Sequence, residues 1–184
     1  SYVDINSFVN NHILNEVTRN VDAWIRSHFM YKDRDQPITA GPVWDYNFAL
    51  GNMTDGFGGW GSSGTATGWH VLDNRTGSGD WHTMMWKQPE FKEAVKQRYL
   101  ELRNNVLSDN GVVKLIDDVR KPIVNVAQRN FEAWPMGKCM SSGGMFGMGS
   151  SKVTDSTWTG QIDSLKTWTK KRLKTLDSLM QTLP

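Results

Sequence analysis

Two carboxylates, Asp22 and Asp45, lie at the two ends of a stretch whose residue pattern is typical of a hairpin. Two short apolar runs, at about 25–31 and 38–43, flank a polar turn that contains Pro37, and this arrangement predicts a short β-hairpin. Asp22 precedes the first strand and Asp45 follows the second, so we expect both side chains at one end of the hairpin. A pair of carboxylates held together can bind a divalent cation, or one of them can act as a base.

Phosphoryl transfer is one reaction that uses such a pair of carboxylates. A metal ion neutralises the phosphates while a second group orients the attacking hydroxyl. The competing interpretation is structural, because an acidic residue at a helix end or a turn is most often a cap or a solvated charge. The residue types of Asp22 and Asp45 leave both interpretations open, and the structural one is the commoner.

Several segments of the chain resemble the C-terminal half of the spore-coat CotH kinase domain family. These segments read D-I-N-S-F-V, N-E-V-T-R-N-V-D-A, F-M-Y-K-D and G-P-V-W-D-Y-N-F-A-L-G. A weaker resemblance continues through W-K-Q-P-E-F, R-Y-L-E-L-R and the last helix, so it covers nearly the whole chain. The G-P-V-W-D segment with its upstream N-x-D is the most specific part. Members of this family are atypical protein kinases that are secreted or associated with spores.

The resemblance implies a role for each polar residue of the hairpin region. Asp22 would accept the proton of the substrate hydroxyl or orient that hydroxyl, and Asp45 would be a magnesium ligand. Ser27 lies five positions after Asp22, where protein kinases carry an Asn that holds a second metal ion, and a serine hydroxyl is a poorer ligand. Many family members read W-D-F-D, whereas this chain has Asn47 at the last position, whose amide oxygen can coordinate Mg²⁺ with one negative charge fewer. The implied cofactors are Mg²⁺ and ATP, bound through Asp45 and Asn47.

The implied activity is Mg²⁺- and ATP-dependent phosphoryl transfer to Ser or Thr of a secreted or coat protein, outside the cell or at the spore surface. The resemblance is to a C-terminal lobe. A kinase also needs an N-terminal lobe with a lysine that contacts the ATP phosphates, and this chain offers no candidate for it. We therefore expect the catalytic machinery to be incomplete in this chain alone. Whether the chain is an enzyme by itself stays open.

A Gly-rich stretch at 51–80 predicts a long loop that carries Trp60 and Trp69. These side chains suggest an alternative function, a noncatalytic extracellular module that binds a polysaccharide or a protein. Anchoring the loop to the core is the structural alternative for both tryptophans. A further alternative is a small-molecule hydrolase with a site assembled from loops. The usual anchors of serine hydrolases and zinc proteases, G-x-S-x-G, S-x-x-K and H-E-x-x-H, are missing from the sequence.

A second Gly-rich loop is expected at 135–155, and it is rich in sulfur-containing residues. Thioether and thiolate groups suit copper(I), whereas flexible methionines commonly fill gaps between packed elements. The sequence leaves metal binding by this loop open. The residues concerned are Met136, Cys139, Met140, Met145 and Met148.

The elements that position the hairpin are predicted to be helices within a single domain. At 184 residues the chain can form one core. The formal charge of +2 gives no indication of a nucleic-acid partner, and no apolar run is long enough to cross a membrane. The first helix should be capped by Asp4 or Ser7. Its core face should carry apolar residues spaced four apart, Val9, Ile13, Val17 and Val21. Near its end, Glu16 is expected to form a structural ion pair or, less commonly, to contribute to the site, while His28 of the hairpin should have a hydrogen-bonding role.

The second half of the chain is predicted to be helical with apolar stripes in the core, and the whole chain should form three to four packed helices in an α+β, mostly helical fold. The resemblance implies that this fold is a kinase-like C-terminal lobe. Pro89 suits the first turn of one helix, and Pro122 should kink or divide the next. The last helix is expected at about 156–182 with its lysines toward solvent. The residues expected in the core of the first two of these helices are Phe91, Val95, Tyr99, Leu102, Val112, Leu115, Ile116, Val119, Ile123, Val126 and Ala127.

Overall fold

The structure, a computed structural model, describes residues 2–52, 64–73, 81–135 and 157–184. It is mostly helical with one small antiparallel sheet, which confirms the α+β prediction. Two short 3₁₀ turns, His70–Leu72 and Lys121–Ile123, join the regular elements. The helices and strands are α1 (Ile5–Thr18), β1 (Met30–Tyr31), β2 (Thr39–Ala40), α2 (Trp81–Trp86), α3 (Pro89–Arg103), α4 (Asp109–Arg120), α5 (Val124–Ala133) and α6 (Trp158–Met180).

Helix α1 packs against α3, α6 and the strand β2. Of the two predicted caps, Asp4 is the one observed, because its side chain accepts a hydrogen bond from the Ser7 backbone N–H at 3.3 Å. The helix ends at Arg19, which adopts a left-handed conformation with φ 47°. This change of backbone direction turns the chain into the segment that contains Asp22.

The predicted hairpin exists, but its strands are shorter than expected. Met30 pairs with Ala40 and Tyr31 with Thr39, so each strand contains two residues. The expected start of the first strand at residue 25 is wrong because Ile25 belongs to a turn. Its backbone N–H donates to the carbonyl of Asp22 at 3.3 Å, so that this turn, rather than a strand ladder, takes up the backbone donor.

The core is formed where the apolar faces of α1, α3 and α6 meet. The predicted stripe of α1 is buried, as are Phe91, Val95 and Tyr99 of α3. Burial of such large apolar side chains is the main stabilising contribution, roughly 1.5–3 kcal/mol each. The most deeply buried apolar side chains of the three helices are Phe8, Ile13, Val95, Tyr99, Leu173, Leu176 and Met180.

The apolar stripe of α4 and α5 is not part of the core, contrary to our prediction. Only Val112 of this stripe is fully buried, whereas Val119 is 63% exposed and Val126 is 57% exposed. The reason is that an apolar helix face becomes buried only if another element packs against it. Among the described residues, α4 and α5 contact α6 and the Lys121–Ile123 turn, and these contacts leave much of the stripe uncovered. Leu115 and Ile123 are exposed in the same way.

Two further features of the helices differ in detail from the sequence prediction. Pro122 divides its helix as expected, since a 3₁₀ turn separates α4 from α5. Helix α2 was not predicted, and together with this division it gives more helices than the three to four expected. No helix in the described part of the chain is long and apolar enough to cross a membrane.

Candidate functional site

The turn that follows α1 fixes the position of Asp22. The side-chain oxygen of Asn20 accepts a hydrogen bond from the Asp22 backbone N–H at 3.3 Å. The carbonyl of Asp22 in turn accepts from the N–H of Arg26 at 2.9 Å. Asn20 is only 1% exposed, whereas Asp22 is half-buried. The carboxylate therefore lies on a hydrogen-bonded turn whose base is in the core and whose tip reaches the surface.

Ser27 and Asp45 lie together in the structure. The Ser27 hydroxyl donates to a carboxylate oxygen of Asp45 at 3.3 Å, although the two residues are 18 positions apart. Asp45 and Asn47 are exposed, and the backbone carbonyl of Asn47 accepts from the side-chain amide of Asn52 at 2.8 Å. Two of the three predicted metal ligands are thus in contact, and the third lies two residues further along the chain.

Backbone hydrogen bonds join the Asp22 turn to the segment that carries Asp45. The N–H of Val21 donates to the carbonyl of Phe48 at 3.1 Å, and the N–H of Leu50 donates to the carbonyl of Thr18 at 2.6 Å. Val21 directly precedes Asp22, and Phe48 directly follows Asn47. The two predicted site segments therefore lie side by side on neighbouring backbone.

Unfavourable backbone conformations are concentrated in this region. Trp24, Ser27 and Asp45 have φ values of 65°, 45° and 62°, in the left-handed region that side chains other than glycine rarely adopt. Each such residue costs on the order of 1–3 kcal/mol and persists only where the surroundings impose it. Residues of this kind cluster at functional sites, so the strain is consistent with a functional role for this region.

A small pocket opens beside Ser27, between the end of α1 and the segment that leads to Asp45. Its wall includes Trp44, whose side chain is 60% exposed, and Tyr46. The Tyr46 hydroxyl donates to the side-chain oxygen of Asn15 at 2.8 Å, and burial raises the pKa of Tyr46 to about 12. The pocket therefore combines neutral polar groups with an exposed aromatic ring, next to the carboxylate of Asp45.

The side chains of Asp45, Ser27 and Asn47 carry oxygen donors, the kind of ligand that Mg²⁺ prefers. No group of three or more His, Cys, Asp or Glu side chains that could hold a metal ion is found among the described residues. Mg²⁺, however, commonly binds through one or two carboxylates while keeping several waters and contacting substrate phosphates. Asp45, the hydroxyl of Ser27 and the amide of Asn47 offer oxygen donors of that kind.

Glu16 forms a buried structural ion pair, the commoner of its two predicted roles. Its carboxylate lies 2.8 Å from Nη2 of Arg172, and both side chains are fully buried. The same carboxylate accepts from the backbone N–H groups of His70 and Val71, each at 2.8 Å. Despite Glu16, burial lowers the pKa of Arg172 to about 10, so the guanidinium stays charged at neutral pH. We missed Arg172 in the sequence, although a charge on the apolar stripe of α6 was a usable signal.

Sequence reasoning also missed two buried histidines beneath the Asp22 turn. His12 and His82 are at most 1% exposed, and neither ring nitrogen of either has a hydrogen-bond partner among the described residues. The ring of Trp24 packs on both, at centroid distances of 5.4 and 5.5 Å. Burial lowers the pKa of His12 to about 4 and that of His82 to about 2. The spacing of His12 from Phe8 and Glu16 on α1 was the available signal.

Of the other residues singled out from the sequence, two make aromatic contacts and the rest lie outside the described residues. Trp69 is half-buried and packs on Trp86 at a centroid distance of 4.7 Å, as expected for a residue that anchors its loop. His28 packs edge-on against His82 at 4.9 Å. Trp60 and the Met- and Cys-rich stretch at 136–156 lie outside the described residues.

The described residues form a mostly helical α+β fold in which the predicted site residues lie on two neighbouring backbone segments. Comparison with protein families gives a match to the CotH kinase protein model over residues 1–176, nearly the whole chain. The chain therefore belongs to the CotH kinase family, as the resemblance implied. Comparison with curated proteins and with solved structures returned no match.

Proposed function

We propose that this domain transfers the terminal phosphoryl group of Mg²⁺-ATP to a Ser or Thr hydroxyl of a protein substrate at the spore coat or outside the cell. The observation that carries the proposal is the contact between Ser27 and Asp45 beside the Asp22 turn, in a chain that belongs to the CotH kinase family. The family supports a kinase-like activity and an association with the spore coat. The substrate, the cofactors and the residue roles are our proposals.

In this proposal Asp22 acts on the substrate hydroxyl. Its carboxylate accepts the hydrogen bond of the hydroxyl, orients the oxygen toward the phosphorus atom and takes the proton as the O–P bond forms. The half-buried position of Asp22 supports this role, because the carboxylate can meet a substrate while the turn beneath it stays fixed by Asn20.

Asp45 would hold the metal ion, with Ser27 and Asn47 as neighbouring oxygen donors. ATP would supply the phosphoryl group, with ADP as the leaving group, and the Mg²⁺ ion would neutralise the negative charge of the phosphates during the transfer. The exposure of Asp45 and Asn47 supports this assignment, since the nucleotide phosphates must reach the metal from solvent. Asn47 carries no charge, so we expect the affinity for Mg²⁺ to be lower than with a carboxylate at this position.

Calorimetric titration of Mg²⁺-ATP into the chain tests the metal and nucleotide roles. We expect Mg²⁺-dependent binding to the wild type and to Asp22→Asn, and no detectable binding to Asp45→Asn. Asp33→Asn is a matched control, because Asp33 is an exposed carboxylate in the turn of the same hairpin. A folded wild-type chain that binds no nucleotide, or an Asp45→Asn variant that binds as well as the wild type, would contradict the proposal.

Transfer of labelled phosphate to a Ser- and Thr-rich acceptor protein tests the role of Asp22. We expect Asp22→Asn to keep nucleotide binding while its turnover falls by about 10²- to 10⁴-fold, the usual contribution of a general base. Asp33→Asn should keep full turnover. Equal turnover of Asp22→Asn and the wild type would exclude Asp22 as the catalytic base.

A further inference from the structure

The described part of the first Gly-rich stretch, residues 64–73, returns to the end of α1 and contacts the base of the Asp22 turn. Nε2 of His70 lies 2.7 Å from the backbone carbonyl of Asn20. A carbonyl oxygen can only accept, so Nε2 carries the hydrogen and donates it. Asn20 is the residue whose side chain holds the Asp22 N–H. His70 therefore holds the residue that positions Asp22.

His70 also contacts the other side of the same turn. Its ring packs on Trp24 with the ring centroids 5.2 Å apart. Asn20 and Trp24 lie two residues before and two residues after Asp22, so one buried side chain contacts both flanks of the proposed base. His70 is only 3% exposed, and its position is fixed by its backbone N–H, which donates to Glu16.

An acidic residue and an arginine complete the arrangement. One carboxylate oxygen of Asp73 lies 2.9 Å from Nδ1 of His70 and 2.7 Å from Nη2 of Arg19. Arg19 is 2% exposed and also donates to the carbonyl of Thr67 at 2.7 Å. Arg19 and Asn20, adjacent in sequence, are thus both held by the 64–73 segment. Because the Asp73 carboxylate can only accept, Nδ1 of His70 donates to it while Nε2 donates to Asn20, and these two bonds together fix the orientation of the ring.

We infer that His70, oriented by Asp73 and Arg19, is a positioning residue for Asp22. The inference rests on the proposed function, because it assigns His70 to the placement of the proposed base. Loss of its bond to Asn20 should leave the Asp22 turn free to shift while the metal ligand Asp45 stays in place. A displacement of about 1 Å at a reacting group can reduce turnover about 100-fold.

Three variants separate positioning from simple packing. His70→Phe keeps an aromatic ring against Trp24 but removes both side-chain hydrogen bonds. His70→Gln retains an amide that can donate to the Asn20 carbonyl, so it is the conservative rescue. Asp118→Asn removes a carboxylate from a solvent-exposed ion pair with Lys114 on α4, which makes it a control for altering a polar contact far from the turn.

The first readout is the solvent exposure of Trp24 in the full chain labelled with 5-fluorotryptophan. The ¹⁹F shift difference between H₂O and D₂O reports exposure, and the Trp24→Phe variant assigns the resonance. Trp24 is 6% exposed, so we expect a small difference in the wild type, in His70→Gln and in Asp118→Asn. His70→Phe should give a larger difference. An unchanged value in a folded His70→Phe variant would overturn the inference, whether or not the chain transfers phosphate.

The second readout is the kinetics of phosphate transfer. We expect His70→Phe to lower kcat about 10- to 100-fold with the KM for Mg²⁺-ATP unchanged, and His70→Gln to recover most of kcat. A rise in KM with unchanged kcat would contradict the inference, because it would place the effect at the nucleotide. Failure of the proposed function is recognised separately, as a wild-type chain that binds no Mg²⁺-ATP while its Trp24 resonance still responds to His70→Phe.

Discussion

Removing one partner of the buried ion pair between Glu16 and Arg172 should strongly destabilise the domain. Glu16→Gln would leave the guanidinium of Arg172 charged and without its partner inside the core. The Glu16 carboxylate accepts three hydrogen bonds, from Arg172 and from the backbone N–H groups of His70 and Val71. The amide of a glutamine offers one oxygen where the carboxylate offers two. One backbone N–H would therefore face an NH₂ group and stay unsatisfied.

The expected loss of stability follows from these contacts. Removing one partner of a buried ion pair costs about 3–5 kcal/mol. For a chain of this length, 1 kcal/mol corresponds to about 2–4 °C in Tm, so we expect Glu16→Gln to lower Tm by roughly 6–20 °C. Arg172→Met should fall in the same range, because it leaves the Glu16 carboxylate without its counter-charge and removes the donors to the carbonyls of Ala66 and Gly68.

Urea unfolding of the variants, followed by far-UV circular dichroism, measures these costs. The double variant Glu16→Gln with Arg172→Met should be less destabilised than the sum of the two single variants, since neither charge is then left alone. Lys114→Gln, which breaks an exposed ion pair on α4, is the control and should leave the midpoint unchanged. Single variants that each cost less than about 1 kcal/mol, or costs that simply add, would refute this reasoning.

Two further predictions concern the core. Burial lowers the pKa of His12 to about 4 and that of His82 to about 2. Below the ordinary pKa of histidine, both rings therefore stay neutral in the folded state while the same rings in the unfolded chain bind protons. The contribution of the two neutral rings to the free energy of unfolding is complete above about pH 6.5 and is lost as the pH falls toward 4. The urea midpoint should therefore fall less between pH 7 and pH 4.5 in His82→Leu than in the wild type. An equal fall in both proteins would argue against this reasoning. The Tyr99 hydroxyl contacts Asp177 at 2.9 Å inside the α3–α6 interface, so Tyr99→Phe should cost about 1 kcal/mol in urea unfolding, and a neutral effect would show that the bond contributes nothing.

Local features of the structure could be predicted because the signals for them are local. The Asp4 cap, the stripe of α1 and the break at Pro122 each depend on residues within a few positions of one another. The same holds for the hairpin, although the turn that contains Ile25 and the left-handed conformation of Ser27 make its first strand shorter than the pattern indicated. The stripe of α4 and α5 shows the limit of this reasoning, because periodicity indicates an apolar face and does not show whether another element covers it.

The polar contacts of the site depend on segments that are far apart in sequence. Ser27 and Asp45 could be grouped in advance because the family resemblance implied a metal-ligand role for each. His70 lies 50 positions from Asn20, and Arg172 lies 156 positions from Glu16, so neither pairing follows from spacing. Such contacts exist because helix packing brings the segments together, and a sequence shows at most a polar residue at a position where an apolar one is expected.

Several polar side chains are buried at the end of α1, and their contacts indicate that they fix the path of the backbone there. Burying charged and polar side chains is costly unless every group is satisfied, and apolar residues of similar size often give equal or greater stability. From Glu16 to Asn20 the chain nevertheless keeps Glu16, Thr18, Arg19 and Asn20 buried. Three of these four contact the 64–73 segment. What they provide beyond stability is one fixed path for the backbone that enters the Asp22 turn. We therefore expect substitutions among them to change the order of that turn even where apolar replacements restore the free energy of unfolding.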